Sequence, residues 1–395
     1  MRKPPSRESS VMEVWHFSEM AYHPGWEELG NSLRNVIPNR VFDPKVGADL
    51  YNRYLDEWAL CDELGINIMV NEHHATATCS TSVCTIPLAI MARETKKSRL
   101  LCLGMPIANR MDAIRVAEEF SMIDVISYGR LEMGFVKGSP YEVGPANSNP
   151  STVGERFWEA HDLILKAMTT HDGPFNWEGQ HFHYRQANIW PRPYQQPHPP
   201  VWITVAGPYS AGDVGEKGYV IAALNSGYWS TPTIFDAYRK GATAAGQTCK
   251  KNRFAYLAMV GVGETDEEGH RRADQILDYS RMTPRALRQL QMPPGLAPPE
   301  VIGRELQNPS TRSITLRDGS KAPMGTSSVD ECIDAGIAFA GNPDTVYEQI
   351  KEFHEHVGGL GHLLMMGQGG HISHEDTIAN LTLFSREVLP RLKEL

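Results

Sequence analysis

A carboxylate and two imidazoles directly follow an apolar run that predicts a strand. The run at residues 68–70 leads within two positions into Glu72, His73 and His74. Short apolar runs that alternate with helical patterns are typical of buried strands in a parallel sheet, whose carboxyl ends carry the chemistry of an α/β fold. Glu72 is therefore predicted to pair with His73 and to orient an imidazole that titrates near neutral pH. The alternative is that Glu72 caps the next helix and both histidines are ordinary loop residues.

The elements that would position these side chains alternate between strands and helices. Periodicity predicts strands at about residues 12–17, 66–71, 99–107, 130–136, 201–205, 219–223, 254–262 and 361–366. It predicts helices between them, for example at about residues 48–64, 111–126, 153–169, 265–279 and 343–356. This alternation indicates an α/β fold, a closed (β/α)8 TIM barrel with insertions at its carboxyl-terminal mouth. A doubly wound sheet is the alternative, but no Gly-x-Gly-x-x-Gly follows the first predicted strand.

A single domain is predicted for residues 11–395, preceded by a flexible N-terminus at residues 1–10. Residues 172–200 have the pattern of a β-hairpin followed by a proline-rich connector. Residues 281–335 are rich in proline, glycine and charge and show little periodicity. Long segments of this kind usually form a lid or a functional loop. Because residues 281–335 precede the last predicted strand, we expect them to form a lid over the barrel mouth.

The composition excludes several classes of protein. A net charge of −9 over 395 residues argues against a nucleic-acid-binding protein, which needs a basic face. No apolar run approaches the ~18 residues that span a bilayer, and residues 1–10 lack the apolar core of a signal peptide. Six scattered cysteines are typical of reduced thiols in a cytoplasmic protein. We therefore expect a cytoplasmic protein with no membrane segment, and no metal site, because the histidine pairs lack the spacing of known metal ligands.

Four motifs follow one another in a fixed order along nearly the whole chain. The first is Glu-His-His at residues 72–74. The second, at residues 115–138, joins a helix containing Ala-Glu-Glu to Asp-x-x-Ser-x-Gly-Arg and to a strand ending in Gly-x-x-Lys-Gly. The third is the proline-rich stretch at residues 190–202, and the fourth is Phe-Ala-Gly-Asn-Pro-Asp at residues 339–344. In this order the motifs resemble the bacterial-luciferase-like family of flavin-dependent monooxygenases.

The resemblance implies a binding site for flavin mononucleotide (FMN). It places the phosphate-binding cation at Lys137, where the family usually has arginine, and a second cation at Arg156. A lysine keeps the charge but loses the bidentate fork of arginine. The stretch with Gly207, Tyr209 and Ser210 leads from a strand end into a helix start, where backbone N–H groups bind anions. The alternatives are two solvated surface charges and a plain N-cap.

The same resemblance assigns roles to residues at the ends of the second and third predicted strands. His73 aligns with the acid–base histidine of bacterial luciferase and Glu72 with its neighbouring carboxylate. Gly104 and Met105 lie where the family carries a bulge against the central flavin ring, often with a non-proline cis peptide bond. We expect this bond at Gly104–Met105, with Met105–Pro106 as the alternative.

The end of the first predicted strand offers candidates for the substrate pocket. His16, Phe17, Glu19 and Tyr22 are predicted to face the same barrel mouth. A polar loop with one buried aromatic residue is an equally good interpretation of this segment.

The function implied by the resemblance is that of a two-component monooxygenase. Such an enzyme takes reduced FMN from a separate flavin reductase and uses molecular oxygen, through a flavin C4a-peroxide, to oxygenate a small organic substrate. A deazaflavin-dependent oxidoreductase that transfers hydride without oxygen is the first alternative, and a catalytically silent flavoprotein is the second. The family also implies a homodimer that pairs through helices near the second and third strands, and a lid at residues 281–335 that covers the flavin.

Overall fold

A closed ring of parallel strands forms the centre of the molecule. The computed structural model describes residues 11–26, 32–307 and 312–395, so the prediction for residues 1–10 lies outside the described part. The barrel strands are β1 (Glu13–Phe17), β2 (Asn67–Val70), β3 (Leu100–Pro106), β4 (Leu131–Val136), β5 (Val201–Val205), β6 (Val220–Leu224), β7 (Phe254–Val262) and β8 (His362–Met366). Each strand pairs in parallel with the next, and β8 pairs with β1 to close the ring. The predicted (β/α)8 barrel is confirmed.

Helices cover the outside of the barrel. They are α1 (Pro44–Leu64), α2 (Thr85–Glu94), α3 (Ala113–Ile126), α4 (Val153–Thr169), α5 (Ala211–Glu216), α6 (Gly227–Ala244), α7 (Asp266–Met282), α8 (Pro343–His356) and α9 (His374–Leu383). Local sequence sets their ends. At the start of α1, the side chain of Asp43 accepts a hydrogen bond from the Lys45 backbone N–H at 2.8 Å, and Pro44 takes the first helical position. The helix ends at Gly65, whose φ of 71° is left-handed.

Further elements extend the loops of the barrel. The strands Phe175–Glu178 and His183–Ala187 form an antiparallel hairpin, as predicted. Residues 281–335 contain helices Arg288–Gln291, Pro299–Gln307 and Val329–Asp334 and a small hairpin of Ser313–Thr315 with Lys321–Pro323. A ninth parallel strand, Ala338–Gly341, pairs with the end of β7 outside the ring. The other short helices are His23–Gly25, Asn39–Val41, Pro140–Val143, Pro208–Ser210, Lys251–Arg253, Met324–Thr326, Phe384–Val388 and Leu389–Leu392. Such short elements carry too little periodicity to be predicted.

The core explains why the strands could be read as apolar runs. One set of buried side chains packs between the barrel and its helices, and another fills the inside of the barrel, including Trp15 and Trp202. All nine residues of β7 are buried, because a barrel strand has no face toward solvent. Since the interior is packed, the space for a ligand is expected beyond the strand ends. None of the described helices is both long enough and apolar enough to cross a membrane.

Candidate active site

A cavity of about 840 Å³ lies over the carboxyl ends of the barrel strands. Its walls at the strand ends are largely apolar and include Phe17, Met69, Leu103, Val136, Ile203, Leu257 and Met366. The cavity brings together seven of the site residues predicted from the sequence: Phe17, Glu19, Glu72, His73, Gly104, Lys137 and Ser210. Residues that arise from five different strand ends and their loops therefore share one space.

His73 is held by residues that the sequence analysis did not identify. Its Nδ1 lies 3.1 Å from Oε1 of Glu142 and 3.1 Å from the hydroxyl of Tyr141. Glu142 is buried, and its carboxylate also accepts the backbone N–H of His74 at 2.7 Å and that of Ser139 at 3.0 Å. Because a carboxylate only accepts, Nδ1 carries the proton of the bond to Glu142. Nε2 is then the ring nitrogen left for a molecule in the cavity.

The predicted pairing of Glu72 with His73 is wrong. Glu72 instead accepts hydrogen bonds from Nη2 of Arg110 at 2.8 and 2.6 Å, and Nε2 of His74 lies 3.1 Å from its Oε1. Its second oxygen accepts the backbone N–H of Cys84 at 3.1 Å. Successive side chains on an extended chain point to opposite sides. The side chains of Glu72 and His74 therefore lie on one side of the chain and contact each other, whereas His73 points to the other side.

The charges around His73 shift the pKa of its imidazole. Burial by itself would lower the pKa of His73, but the facing carboxylate of Glu142 outweighs burial and raises it above its ordinary value. Burial would raise the pKa of Glu142, whereas His73 and two backbone N–H groups hold it below its usual range. The pKa of Glu72 is likewise lowered against the effect of burial, by His74 and Arg110. Both carboxylates are thus ionised, and protonated His73 is favoured.

Lys137 lies at the end of β4 with an exposed side chain. Its ammonium group forms no hydrogen bond or ion pair with any residue that the structure describes. Ser210, just before α5, also faces the cavity. The next glycine, Gly138, has a left-handed φ of 94°, and a Cβ there would meet the Asn109 amide at 2.5 Å. A free cation and a hydroxyl therefore border the space where the resemblance predicts a phosphate.

Arg156 is not brought to this cavity. Its Nε donates to the carbonyl of Ala108 at 2.8 Å and its Nη2 to that of Arg110 at 2.9 Å, while the guanidinium lies 4.2 Å from the ring centre of Phe182. These contacts tie α4 to the loop after β3. With its donors used on carbonyl groups, Arg156 is a structural residue, and its predicted place beside Lys137 is wrong.

Three further residues of the predicted flavin site lie outside the cavity lining. Gly207 and Tyr209 flank the cavity residue Ser210, but the Tyr209 side chain is 98% exposed and Gly207 contributes no lining atoms. Met105 is buried in the layer between barrel and helices, because its side chain points away from the barrel mouth. Gly104 does line the cavity, and the non-proline cis bond is Leu103–Gly104, one bond earlier than expected.

The first-strand candidates divide evenly between the cavity and the protein interior. Phe17 and Glu19 line the cavity, where Glu19 accepts hydrogen bonds from the Tyr279 hydroxyl and, at 2.8 Å, from Nδ2 of Asn71. His16 is fully buried, and burial lowers its pKa to about 3, against a backbone hydrogen bond that favours the charged form. The hydroxyl of Tyr22 accepts the backbone N–H of Asp43 instead of facing the cavity. His16 and Tyr22 are therefore not pocket residues.

Several polar residues of the cavity were missed, among them Arg34, Tyr141, Glu142 and Tyr279. One signal in the sequence could have found two of them. Residues 139–142 read Ser-Pro-Tyr-Glu directly after the Lys-Gly motif, which is the pattern of a capping box. In the structure Ser139 and Glu142 form that box at the start of helix Pro140–Val143. No comparable pattern marks Arg34, which lies in a loop.

The sequence of the chain matches a known protein family. The sequence profile of the luciferase-like monooxygenases matches residues 36–358. The chain belongs to the luciferase-like monooxygenase family. Within it, the chain is similar to 3,6-diketocamphane 1,6-monooxygenase of Pseudomonas putida, with 21% identity over 392 residues that cover 89% of this chain and 97% of that protein. It is also similar to the oxygenase component of flavin-dependent trigonelline monooxygenase of Acinetobacter baylyi, with 29% identity over 44% of this chain and 49% of that protein.

Solved structures share the fold of this chain. The oxygenating constituent of 3,6-diketocamphane monooxygenase from Pseudomonas putida, in complex with FMN, has a TM-score of 0.71 and 20% identity, covering 96% of this chain and 98% of that one. An F420-dependent secondary alcohol dehydrogenase has a TM-score of 0.65 and 15% identity, covering 97% of this chain and 99% of that one. At these identities the likeness concerns the fold.

The residues of the luciferase-like cavity fit a flavin. A flat aromatic ring needs an apolar slot, which Leu103, Val136 and Ile203 provide. Gly104 packs closely against β4 beside this slot, because a Cβ there would meet Cγ1 of Val136 at 2.5 Å. A phosphate needs a cation with free donors, which Lys137 supplies. In the described part of the chain, no cluster of three or more His, Cys, Asp or Glu side chains is arranged to hold a metal ion.

Proposed function

We propose that this protein is the oxygenase component of a two-component, FMN-dependent monooxygenase that acts on a small organic substrate. The observation that carries the proposal is the pairing of His73 with Glu142 in the same cavity as Lys137, whose ammonium group forms no ion pair with a described residue. Family membership and relatives named as flavin-dependent monooxygenases support it. The description of one relative as an oxygenase component supports a separate flavin reductase as the electron source.

Lys137 and Ser210 would hold the FMN phosphate, and Leu103, Gly104 and Val136 would bound the ring. A lysine acts on a phosphate as a point charge, without the paired hydrogen bonds of arginine. Bound reduced FMN supplies the electrons that activate molecular oxygen. The largely apolar strand ends exclude water from that space, which limits side reactions of reactive oxygen species.

His73 would manage the proton of the reaction. Its raised pKa means that more of the ring is protonated near neutral pH than in a solvated histidine. Glu142 fixes the ring through Nδ1, so that Nε2 presents its proton to the cavity. Glu72 does not reach this ring, and its bonds to Arg110 and to the Cys84 backbone make it a support of the cavity wall.

We further propose a lid over the cavity and a homodimer. The segment at 281–335 would be a lid, because Arg288, Leu306 and Met324 line the cavity while helix Pro299–Gln307 buries none of its residues. A homodimer would form through α2 and α3, which expose apolar side chains on their outer faces: Ile86, Met122, Val125 and Ile126.

A deazaflavin-dependent oxidoreductase is the second candidate, because an F420-dependent dehydrogenase shares the fold. Anaerobic titration of the purified protein with reduced FMN and, separately, with reduced deazaflavin distinguishes the two. We expect saturable binding of reduced FMN, followed on admission of oxygen by flavin oxidation with release of hydrogen peroxide when no substrate is present. Binding of the reduced deazaflavin alone would overturn the proposal in favour of the second candidate.

The role of His73 is tested by replacing it with alanine. Flavin binding should remain near the wild-type value, whereas oxygenation of a substrate that the wild type turns over should fall by roughly 10²–10⁴-fold, the range for a lost acid–base group. The exposed His171, two residues after the end of α4, offers a matched control, and His171→Ala should keep full activity. Full product yield from His73→Ala would show that His73 is structural.

A further inference from the structure

Arg34 is a buried cation on the wall of the cavity. Arg34 is only 5% exposed, and it lines the cavity together with Glu19, Tyr141 and Tyr279. Within the described ranges, Nε of Arg34 has no hydrogen-bond partner and the guanidinium forms no ion pair. Burying a charged group in this way is costly unless something compensates it. A cation held at a cavity wall with open donors is therefore prepared for an anion.

The acidic residues nearest to Arg34 are already engaged elsewhere. Glu19 accepts hydrogen bonds from Tyr279 and Asn71, and Glu142 binds His73 and two backbone N–H groups. Burial would lower the pKa of Arg34, but the electrostatic effect of Tyr141 and Tyr279, and after them of these two carboxylates, raises it. The guanidinium lies 4.5 Å from the ring centre of Tyr141, a contact that fixes its orientation without using its donors.

Arginines that serve only the structure of this protein look different. The buried Arg130 donates to the carbonyls of Ala92, Ser98 and Thr95 and to the Thr95 hydroxyl. Arg156 likewise spends its donors on carbonyl oxygens. Arg34 has no such bonds in the part of the chain that the structure describes. The contrast indicates that its donors are reserved for a molecule in the cavity.

A second arginine lies on the same cavity. Arg312 comes from the segment at 281–335; its side chain stays exposed on one side, and partial loss of solvent together with the positive charge of Arg34 holds its pKa below the ordinary value. The guanidinium groups of Arg34 and Arg312 are close enough to repel one another, and neither forms an ion pair in the described ranges. One anion bound between them would therefore reduce this repulsion. The planar fork of arginine matches a carboxylate in particular.

We propose that Arg34, assisted by Arg312, binds a carboxylate of the organic substrate, so that the enzyme acts on a small organic acid. This inference deepens the proposed function, because it names the substrate class of the same cavity. The apolar side chains Phe17 and Met69 at the ends of β1 and β2 would receive the hydrocarbon part of the acid. His73 shares this part of the cavity through its neighbour Tyr141, which places the proton donor beside the bound acid.

The test uses the full-length protein without flavin, so that its outcome does not depend on flavin chemistry. Binding of benzoate, cyclohexanecarboxylate and hexanoate is measured by isothermal titration calorimetry and compared with that of the corresponding primary amides. We expect at least one acid to bind at least about tenfold more tightly than its amide, since only the acid can form a charge-assisted bidentate bond. Equal affinity for acids and amides, or no binding of any acid, would overturn the proposal.

Variants locate the cation that is responsible. Arg34→Gln should reduce the affinity for the acid to that for the amide, and Arg34→Lys should retain part of the difference because it keeps the charge without the fork. Arg115→Gln is the matched control, since the Arg115 side chain on α3 is 64% exposed and lies outside the cavity. If Arg34→Gln does not fold, Arg312→Gln provides the second variant and should still weaken binding of the acid. Unchanged binding of the acid in a folded Arg34→Gln protein would overturn the assignment.

The FMN phosphate is the rival anion for Arg34. If Arg34 binds the substrate, Arg34→Gln should leave the affinity for FMN equal to that of the wild type, while Lys137→Ala should leave the binding of the acid unchanged. A loss of FMN affinity without a loss of riboflavin affinity in Arg34→Gln would instead assign Arg34 to the phosphate and overturn the proposal. A protein that binds the acid through Arg34 but fails to bind reduced FMN would retain this inference and contradict only the proposed function.

Discussion

Nδ1 of His73 and Oε1 of Glu142 lie 3.1 Å apart, although the two residues are separated by 68 others in the sequence. The strand end of β2 supplies the imidazole, and the capping box after β4 supplies the carboxylate. The imidazole of His73 is thus oriented by a carboxylate that is itself held in place, because Glu142 also caps the first turn of a helix.

This pairing predicts a change in pH dependence. The pKa of His73 is raised in the folded protein, so activity that needs the protonated ring should fall as the pH rises through that pKa. Glu142→Gln removes the charge that raises it, and the falling limb of the pH–rate profile should move to lower pH. Glutamine is also found at this position of capping boxes, so the helix start should survive. Glu348→Gln, at an exposed position on α8, is the control.

The same pair predicts a pH-dependent part of the stability. A histidine whose folded pKa lies above its unfolded pKa stabilises the fold fully below the unfolded pKa, and this contribution is lost as the pH rises through the folded value. The free energy of unfolding of the wild type should therefore decline over that range relative to Glu142→Gln. Parallel pH dependences of the two proteins would mean that Glu142 does not control His73.

Lys137→Ala should separate phosphate binding from ring binding. If Lys137 holds the phosphate, the variant should bind reduced FMN more weakly by roughly 1.5–3 kcal/mol, the scale of a lost charge-assisted hydrogen bond. Riboflavin lacks the phosphate and should bind the variant and the wild type about equally in an anaerobic fluorescence titration. Lys240→Ala, at an exposed position on α6, is the matched control.

Arg156→Ala should behave differently from Lys137→Ala. Because Arg156 binds the carbonyls of Ala108 and Arg110, its loss should lower the melting temperature and affect FMN and riboflavin alike. A selective loss of FMN affinity in Arg156→Ala would restore the role that the sequence analysis gave to Arg156, and an unchanged FMN affinity in Lys137→Ala would remove Lys137 from the phosphate site.

The fold was predictable from the sequence because barrel strands are buried on both faces. Each β strand therefore reads as an apolar run, and the predicted bounds of β5 and β7 coincide with the observed ones. Side-chain partnerships were less predictable. The direction of Glu72 depends on the exact backbone after β2, and the partner of His73 comes from the four-residue helix Pro140–Val143, which is too short to show a periodicity. Arg34 lies in a loop without any sequence pattern, so only its position in the cavity reveals it.

The outer faces of α2 and α3 predict the assembly. Ile86 is 60% exposed and Met122 is 50% exposed, on adjacent helices. Apolar side chains gathered on an outer surface favour burial against a second copy. The wild type should therefore be a homodimer in analytical ultracentrifugation, and the double substitution Ile86→Glu with Met122→Glu should produce a folded monomer. Val301→Glu, an exposed apolar position on helix Pro299–Gln307, is the control and should stay dimeric. A wild-type monomer would contradict this prediction.

The last prediction concerns the segment at 281–335, whose contacts are those of a movable cover. It contributes Arg288 and Leu306 to the cavity, yet helix Pro299–Gln307 buries none of its side chains and so opens at little cost. Flavin bound beneath it should add contacts and close it, which would exclude water from the reaction. Limited trypsin digestion should therefore cut after Arg288 or Arg304 in the protein without flavin and more slowly with FMN. Cleavage after Arg185, which is exposed in the hairpin before β5, should not respond to FMN and serves as the internal control. Equal resistance of the segment with and without FMN would identify it as a fixed part of the barrel wall.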